Sequence, residues 1–373
     1  MKPIGIYLHV PFCKRKCAYC DFASFADCEG KFDAYFNALS EEIGQWSQTL
    51  RAYHARSIFF GGGTPSLPPA HYLTDALGRL RACLPFEPDV EITLEANPGT
   101  LDPEKLQAYR RAGFNRISIG VQSFDAQLLH SIGRIHSPAE AQQAVIIARD
   151  AGFENISIDL MYALPGQTMQ TWSETLDFAL TLPVRHISAY SLIVEPGTEM
   201  ERRVACGEAR IADDDTVNAM QRLAIHRLHS AGFMRYEISN FAHPGFESRH
   251  NMLYWTGGEY LGLGSAAHSL LHNERFANPS ELERYIAGER SLDPEPRSLD
   301  DQREETLMLA TRTLRGLDLN AWQRDFGEDF QVKHAARLQR LTDYGLIEIE
   351  GGFLRLTTAG LELQDSIVLE LMD

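Results

Sequence analysis

Six short segments with β-strand character, separated by segments of helical periodicity, narrow the possible folds of this chain more than any other feature. The strand-like stretches are residues 4–10, 56–61, 90–95, 116–122, 155–161 and 185–191, and between them run helical patterns at 32–50, 70–83, 103–112, 137–151 and 168–182. Such alternation implies a parallel sheet with helical crossovers. Successive side chains of a strand point to opposite faces, so each segment can be split into two sets. Ile6 and Leu8 oppose Tyr7 and His9; Ile92 and Leu94 oppose Thr93 and Glu95. Ile117, Ile119 and Val121 oppose Ser118, Gly120 and Gln122, and Ile156, Ile158 and Leu160 oppose Ser157 and Asp159.

A sheet covered by helices on both faces has nearly continuous apolar strands, which these are not. One aliphatic face suits the helices. A polar face on every strand suits an interior that holds a ligand, with the working groups near the strands' C-terminal ends. Periodicity alone leaves a second possibility, polar side chains that satisfy one another inside a filled barrel.

The first strand runs directly into Cys13-Lys-Arg-Lys-Cys17-Ala-Tyr19-Cys20-Asp-Phe22, which holds half of the chain's six cysteines within eight residues. No apolar run approaches the length of a bilayer span and the N-terminus lacks a signal-peptide pattern, so a cytoplasmic protein with reduced thiols is expected. Clustered thiolates there point to a metal. Structural zinc wants four protein ligands, and no second pair or nearby histidine completes such a set. An iron–sulfur cluster takes one cysteine per iron, so three cysteines suit a [4Fe–4S] cluster with one iron left open.

The balance of 51 acidic against 35 basic residues, a net charge of −16, argues against a nucleic-acid binder, whose phosphate contacts need clustered Lys and Arg. Lys14-Arg15-Lys16 reads first as a solvated loop face and second as an attractor of an electron donor or of cluster and substrate anions. After the second strand comes Gly61-Gly-Gly63-Thr64-Pro65. Three glycines expose backbone amides and carbonyls where a small ligand must approach closely, although a Gly-rich turn is more often only a turn.

The spacing Cys13-x3-Cys17-x2-Cys20, with Tyr19 before the last cysteine, resembles the cluster motif of the radical S-adenosylmethionine (SAM) superfamily. That resemblance implies a curved partial (β/α)6 barrel, an α/β fold, in which SAM chelates the open iron and electron transfer can cleave it to a 5′-deoxyadenosyl radical. It also implies SAM-binding roles for Tyr7, Tyr19, Gly62, Gly63, Thr64, Glu95, Gln122, Arg134 and Asp159. The chemistry is suitable, since carboxylates and an amide can take hydroxyls and an amine, and Arg can clamp a carboxylate. Arg134 falls in a loop and is carried by the resemblance alone.

Beyond residue 191 the alternation weakens. Residues 213–231 read as a helix and 236–241 as a final strand; 246–268 are rich in Gly and aromatic residues, and 291–298 read as a Pro-stiffened linker. Helical patterns at 302–314, 319–326 and 331–344, a hairpin turning at Gly351-Gly352 and a helix from Thr358 suggest a small winged-helix-like module. The expected domains are a barrel over 1–240 holding the cluster and SAM, a connecting segment over 241–297, and the module over 298–373.

Taken together, residues 7–22, 61–66, 95–98, 120–124, 133–136, 159–166 and 250–255 resemble one branch of the superfamily, which contains oxygen-independent coproporphyrinogen III dehydrogenases and the HemW haem chaperones. The dehydrogenases carry a further cysteine two residues after the third, and a longer lead before the motif. Phe22 occupies that place here and the lead is short, so the chain resembles the chaperones. His250-Asn-x-x-Tyr254-Trp255 resembles the chaperones' haem-associated motif, which implies His250 as a haem residue. Imidazole is a common axial ligand, but a lone histidine among aromatics is usually structural. The resemblance implies haem as cargo and acceptor haemoproteins as partners, membrane-associated ones among the candidates. It also implies a reductant of the flavodoxin or ferredoxin kind, while the lack of a long apolar run implies no integral membrane segment. The rival readings are coproporphyrinogen dehydrogenation and a radical SAM enzyme with another substrate.

Overall fold

The computed structural model describes residues 1–290 and 293–372. Six parallel strands lie side by side in chain order: β1 (Lys2–Val10), β2 (Tyr53–Gly62), β3 (Phe86–Ala96), β4 (Arg116–Gln122), β5 (Asn155–Tyr162) and β6 (His186–Ser191). They are joined by crossover helices α1 (Phe32–Leu50), α2 (Ala70–Cys83), α3 (Pro103–Ala112), α4 (Pro138–Asp150) and α5 (Met169–Ala179). Local chemistry sets the helix starts. Asp102 caps α3, with Pro103 in its first turn, and Ser137 with Glu140 forms a capping box on α4.

The aliphatic faces fall where alternation placed them. Ile6, Leu8, Ile58, Leu94, Ile117, Ile119, Ile156 and Ile158 are fully buried under the helices. Burying each such side chain stabilises the fold by about 1.5–3 kcal/mol, which fixes the register, because a one-residue slip would turn the whole set outward. The other face lines the concave interior.

Two departures from the sequence reading explain why the arc of six stays open. The strand expected at 236–241 is instead a short antiparallel pair, β7 (Met234–Arg235) and β8 (Asn240–Ala242), with β8 hydrogen-bonded to β6. Residues 241–297, read from sequence as a connecting segment, carry helix α6 (Arg249–Trp255) and strand β9 (Tyr260–Leu263), which pairs in parallel with β1. Beyond β9 the sheet continues through antiparallel β10 (His268–Leu271), β11 (Glu274–Ala277) and β12 (Glu295–Pro296). With both flanks of the arc occupied, β1 and β6 do not meet. Of the expected linker at 291–298, Ser291 and Leu292 lie outside the described residues.

The C-terminal module has its own core, built on Leu307, Trp322, Phe330, Leu338, Leu354 and Ile367. Its hairpin turns at Gly351-Gly352, both with positive φ (59° and 83°), as a two-residue turn of this hand requires. A short strand at Leu317–Asp318 adds a third member to the hairpin, and the helix expected over 331–344 breaks at His334 into two. Among the described residues no helix is long and apolar enough to cross a membrane.

Candidate functional site

The cysteine loop leaves the C-terminal end of β1 and is pinned by its backbone. Ala18 N–H donates to the Ile132 carbonyl at 3.0 Å, and the Ala18 carbonyl accepts from Met200 N–H at 2.7 Å. Ala18 also packs into a small cluster with Ile132, Met161 and Met200, so the Cys17–Cys20 turn sits over the ends of β4 and β5. All three thiols are free. Cys13 Sγ lies 3.5 Å from Thr64 Oγ1, and an Arg134 guanidinium N–H points at Cys17 Sγ from 3.6 Å.

Among the described residues no three His, Cys, Asp or Glu side chains close around a single metal ion. A cluster makes a different demand, one cysteine on each of three irons, and so needs sulfurs spread around a body several atoms wide. The loop presents three free thiols, one of them beside a guanidinium.

Around the loop the other candidates are drawn together. Arg134 reaches across to donate to Asn97 Oδ1 at 2.6 Å and to the Gly120 carbonyl, and Asn97 Nδ2 donates to Thr64 Oγ1 at 2.8 Å. Glu95 accepts from the Gly62 amide at 3.1 Å, and Asp159 accepts from Ser118 Oγ at 3.1 Å. Tyr7 donates toward His9 Nδ1 at 3.0 Å. Tyr19 is enclosed near Arg134, Cys17, Cys20 and Asp159, and burial raises its phenol pKa. Burial and the neighbouring Asp159 push the Glu95 carboxyl up to about 8, and burial raises Asp159 as well.

The glycine turn leaves no space for side chains. A Cβ on Gly62, whose φ is +108°, would lie 2.5 Å from the His9 ring, and one on Gly63 would lie 2.8 Å from the Phe12 carbonyl. Gln122 is likewise unusual: it adopts φ +66° beside a register shift between β4 and β5, a local strain of the kind that re-aims a side chain. Asn97 did not stand out from the sequence, although the alternation that marks Glu95 runs on to it two residues later. His9, which the alternation places on the polar face without a role, and Arg116, which the sequence reading did not single out, are both buried.

His250, on helix α6, sits beside one member of this group, its ring stacked 6.4 Å from that of Tyr7. It is 1% exposed, and its ring stacks on Phe59 with centroids 5.1 Å apart. Nδ1 meets Ser57 Oγ at 2.9 Å and Nε2 meets Tyr254 OH at 2.8 Å, so both ring nitrogens are engaged. Glu91 accepts from the backbone N–H groups of Arg249 and His250 at 3.2 and 3.1 Å, which fastens the N-terminus of α6 inside the barrel. Burial and nearby Arg116 hold the imidazole neutral, with its pKa down at about 3.

A cavity of about 1000 Å³ lies between the cysteine loop, the β9–β12 extension and the C-terminal module. Phe22, Tyr254, Trp255, Tyr260, Trp322 and Phe326 line it, and it reaches Tyr7 and His9 at the barrel's interior.

Residues 7–179 match the radical SAM superfamily and residues 298–363 match the HemN C-terminal domain. The solved structure of coproporphyrinogen III oxidase (HemN) from Escherichia coli superposes with a TM-score of 0.87, covering 99% of this chain and 90% of that one at 23% identity, and so shares the fold. Proteins named heme chaperone HemW are more similar in sequence. The one from Lactococcus lactis is 35% identical over 98% of this chain and 96% of its own, and that from Bacillus subtilis is 34% identical over 95% of each. The Escherichia coli protein of that name is 39% identical over 72% of this chain and 70% of its own. Identity of this degree along nearly the whole chain makes it a member of the HemW family, within the radical SAM superfamily.

Proposed function

We propose that the protein holds haem and passes it to acceptor haemoproteins, and that it carries a [4Fe–4S] cluster with SAM beside the haem cavity. The observation that carries the reading is the aromatic-lined cavity of about 1000 Å³ that opens against the cysteine loop, at the upper end of the range in which proteins enclose cofactor-sized ligands. The full-length similarity to proteins named heme chaperones supports it. In this reading Cys13, Cys17 and Cys20 each take one iron, and Arg134 stabilises the Cys17 thiolate. Tyr7, Tyr19, Gly62, Gly63, Thr64, Glu95, Gln122, Arg134 and Asp159 surround SAM. Backbone amides of the glycine turn and the Glu95 and Asp159 carboxyls supply its polar contacts. When bound, the cluster supplies a one-electron centre with an open iron position for SAM.

For His250 to reach haem iron, its ring must surrender Ser57 or Tyr254. The same two bonds suit it to another part: it holds Tyr254, which forms cavity wall, from behind. A reductant of the flavodoxin or ferredoxin type and acceptor haemoproteins, membrane-associated ones included, complete the proposal. The test is an anaerobic haem titration of the reconstituted protein, followed by transfer to an apo-haemoprotein. Saturable binding and transfer are expected. Conversion of coproporphyrinogen III to protoporphyrinogen IX with SAM and reductant would overturn the chaperone reading in favour of an enzyme.

A further inference from the structure

The cavity walls point to an iron ligand different from the histidine of the sequence motif. Strand β10 alternates across the sheet. Ser269 turns back to accept from the Gly262 amide and Leu271 joins the barrel core, while His268 and Leu270 line the cavity. Arg275 on β11 sits opposite Leu270 and lines it too. Among the described residues the cavity is lined by two histidines, His9 and His268. His9 is buried, with Nδ1 on Tyr7 OH at 3.0 Å and Nε2 on the Ala23 carbonyl at 2.8 Å. His268 is exposed, and among the described residues neither of its ring nitrogens has a hydrogen-bond partner.

Coordination to iron needs a ring nitrogen with an uncommitted lone pair. His9 and His250 have spent theirs; His268 has not. A comparable distinction separates the cavity's arginines. Arg275 and Arg297 both bind Glu305, at 2.8 and 2.7 Å, and so have their hydrogen-bonding forks engaged by a shared carboxylate. Arg315, from the C-terminal module, is exposed, has no carboxylate within ion-pair distance among the described residues, and sits 5.2 Å from the centre of the Phe353 ring. An unpaired guanidinium recognises a carboxylate through two parallel hydrogen bonds.

We propose that haem occupies this cavity with His268 as an axial ligand of its iron and a propionate on Arg315. The assignment rests on the reading of haem as cargo.

The test titrates the cluster-loaded protein anaerobically with haem, beside His268→Ala, Arg315→Gln and His250→Gln, recording the Soret band and the electron paramagnetic resonance spectrum of the ferric form. The cluster's own absorption reports that each variant is folded and loaded, and His268 and Arg315 are exposed enough for their substitution to leave the cores intact. His268→Ala is expected to shift the Soret band, change the ferric spin state and weaken binding by about tenfold or more, with added imidazole restoring the spectrum. Arg315→Gln is expected to weaken binding by roughly tenfold with the wild-type spectrum kept. His250→Gln is expected to keep that spectrum. A wild-type spectrum and affinity in His268→Ala overturn the assignment, as does a ligand change confined to His250→Gln. Absence of saturable binding by the wild type is a different result, and it overturns the cargo reading itself.

Discussion

His250→Gln changes the acid sensitivity of the fold by an amount that can be worked out. The imidazole pKa is held at about 3 by burial and by Arg116, against an ordinary value of 6.5. A folded-state pKa below the unfolded one means that the unfolded chain takes up the proton first as pH falls. The stability this represents is complete above pH 6.5 and is lost progressively down to about pH 3. At about pH 5 the loss from this one group is about 2 kcal/mol, and at about pH 7.5 it is close to zero. His186 and His136 are also depressed by burial, the latter to about 4, and carboxylates protonate in the same range, so wild-type acid sensitivity alone decides nothing. The difference between wild type and variant isolates His250. Glutamine can still meet Ser57 and Tyr254 but loses the stack on Phe59, and is expected to cost about 1–3 kcal/mol near neutrality. Urea unfolding at about pH 7.5 and about pH 5 should therefore show the gap closing by about 2 kcal/mol. A gap that stays constant between the two conditions would refute the claim that His250 is a buried neutral support.

Three further outcomes are expected. Cys17→Ser should abolish iron–sulfur absorption after reconstitution, whereas Cys28→Ser and Cys83→Ser should retain it; equal loss in either of the latter would reassign the ligands. Gly62→Ala forces a Cβ to 2.5 Å from the His9 ring at positive φ and should cost about 2–4 kcal/mol and SAM binding, while Gly78→Ala in α2, where a Cβ meets nothing, should stabilise by about 0.5–1 kcal/mol; thermal melts of the pair would contradict this if they moved together. Arg134→Lys keeps the charge but not the fork that reaches Cys17, Asn97 and Gly120 together, and should weaken SAM binding by roughly tenfold, read by calorimetry; an unchanged affinity would remove Arg134 from the site.

The parts legible in sequence are those set by local rules. Strand parity assigned the inner faces of β1, β3, β4 and β5, because a register slip would bury Glu95 or Asp159 under helices, and α3 begins where Asp102 and Pro103 place it. The cysteine loop was legible because its chemistry lies within eight consecutive residues. Strand β9 was not, since its partner β1 lies some 250 residues away in the chain and its Gly262 and flanking glycines read as loop. The bulge at Gln122 is a backbone event with no side-chain signature. His250 shows the limit most plainly. A histidine four residues before a tyrosine on one helix face is equally compatible with an iron ligand and with a hydrogen-bonded support, and only the engagement of both ring nitrogens separates the two.

The separateness of the two hydrophobic cores has a consequence for cooperativity. The barrel core and the C-terminal core share no buried residue; they are joined by backbone pairing of Glu237 with Thr313 and of Tyr236 with Leu314, and by the ion pairs Arg275–Glu305 and Arg222–Glu362. With no shared apolar core to couple them, the free protein is expected to show two transitions in a calorimetric scan rather than one. A ligand seated between them binds only when both are folded. It stabilises each through the other, drawing two transitions into one as its concentration rises above its dissociation constant.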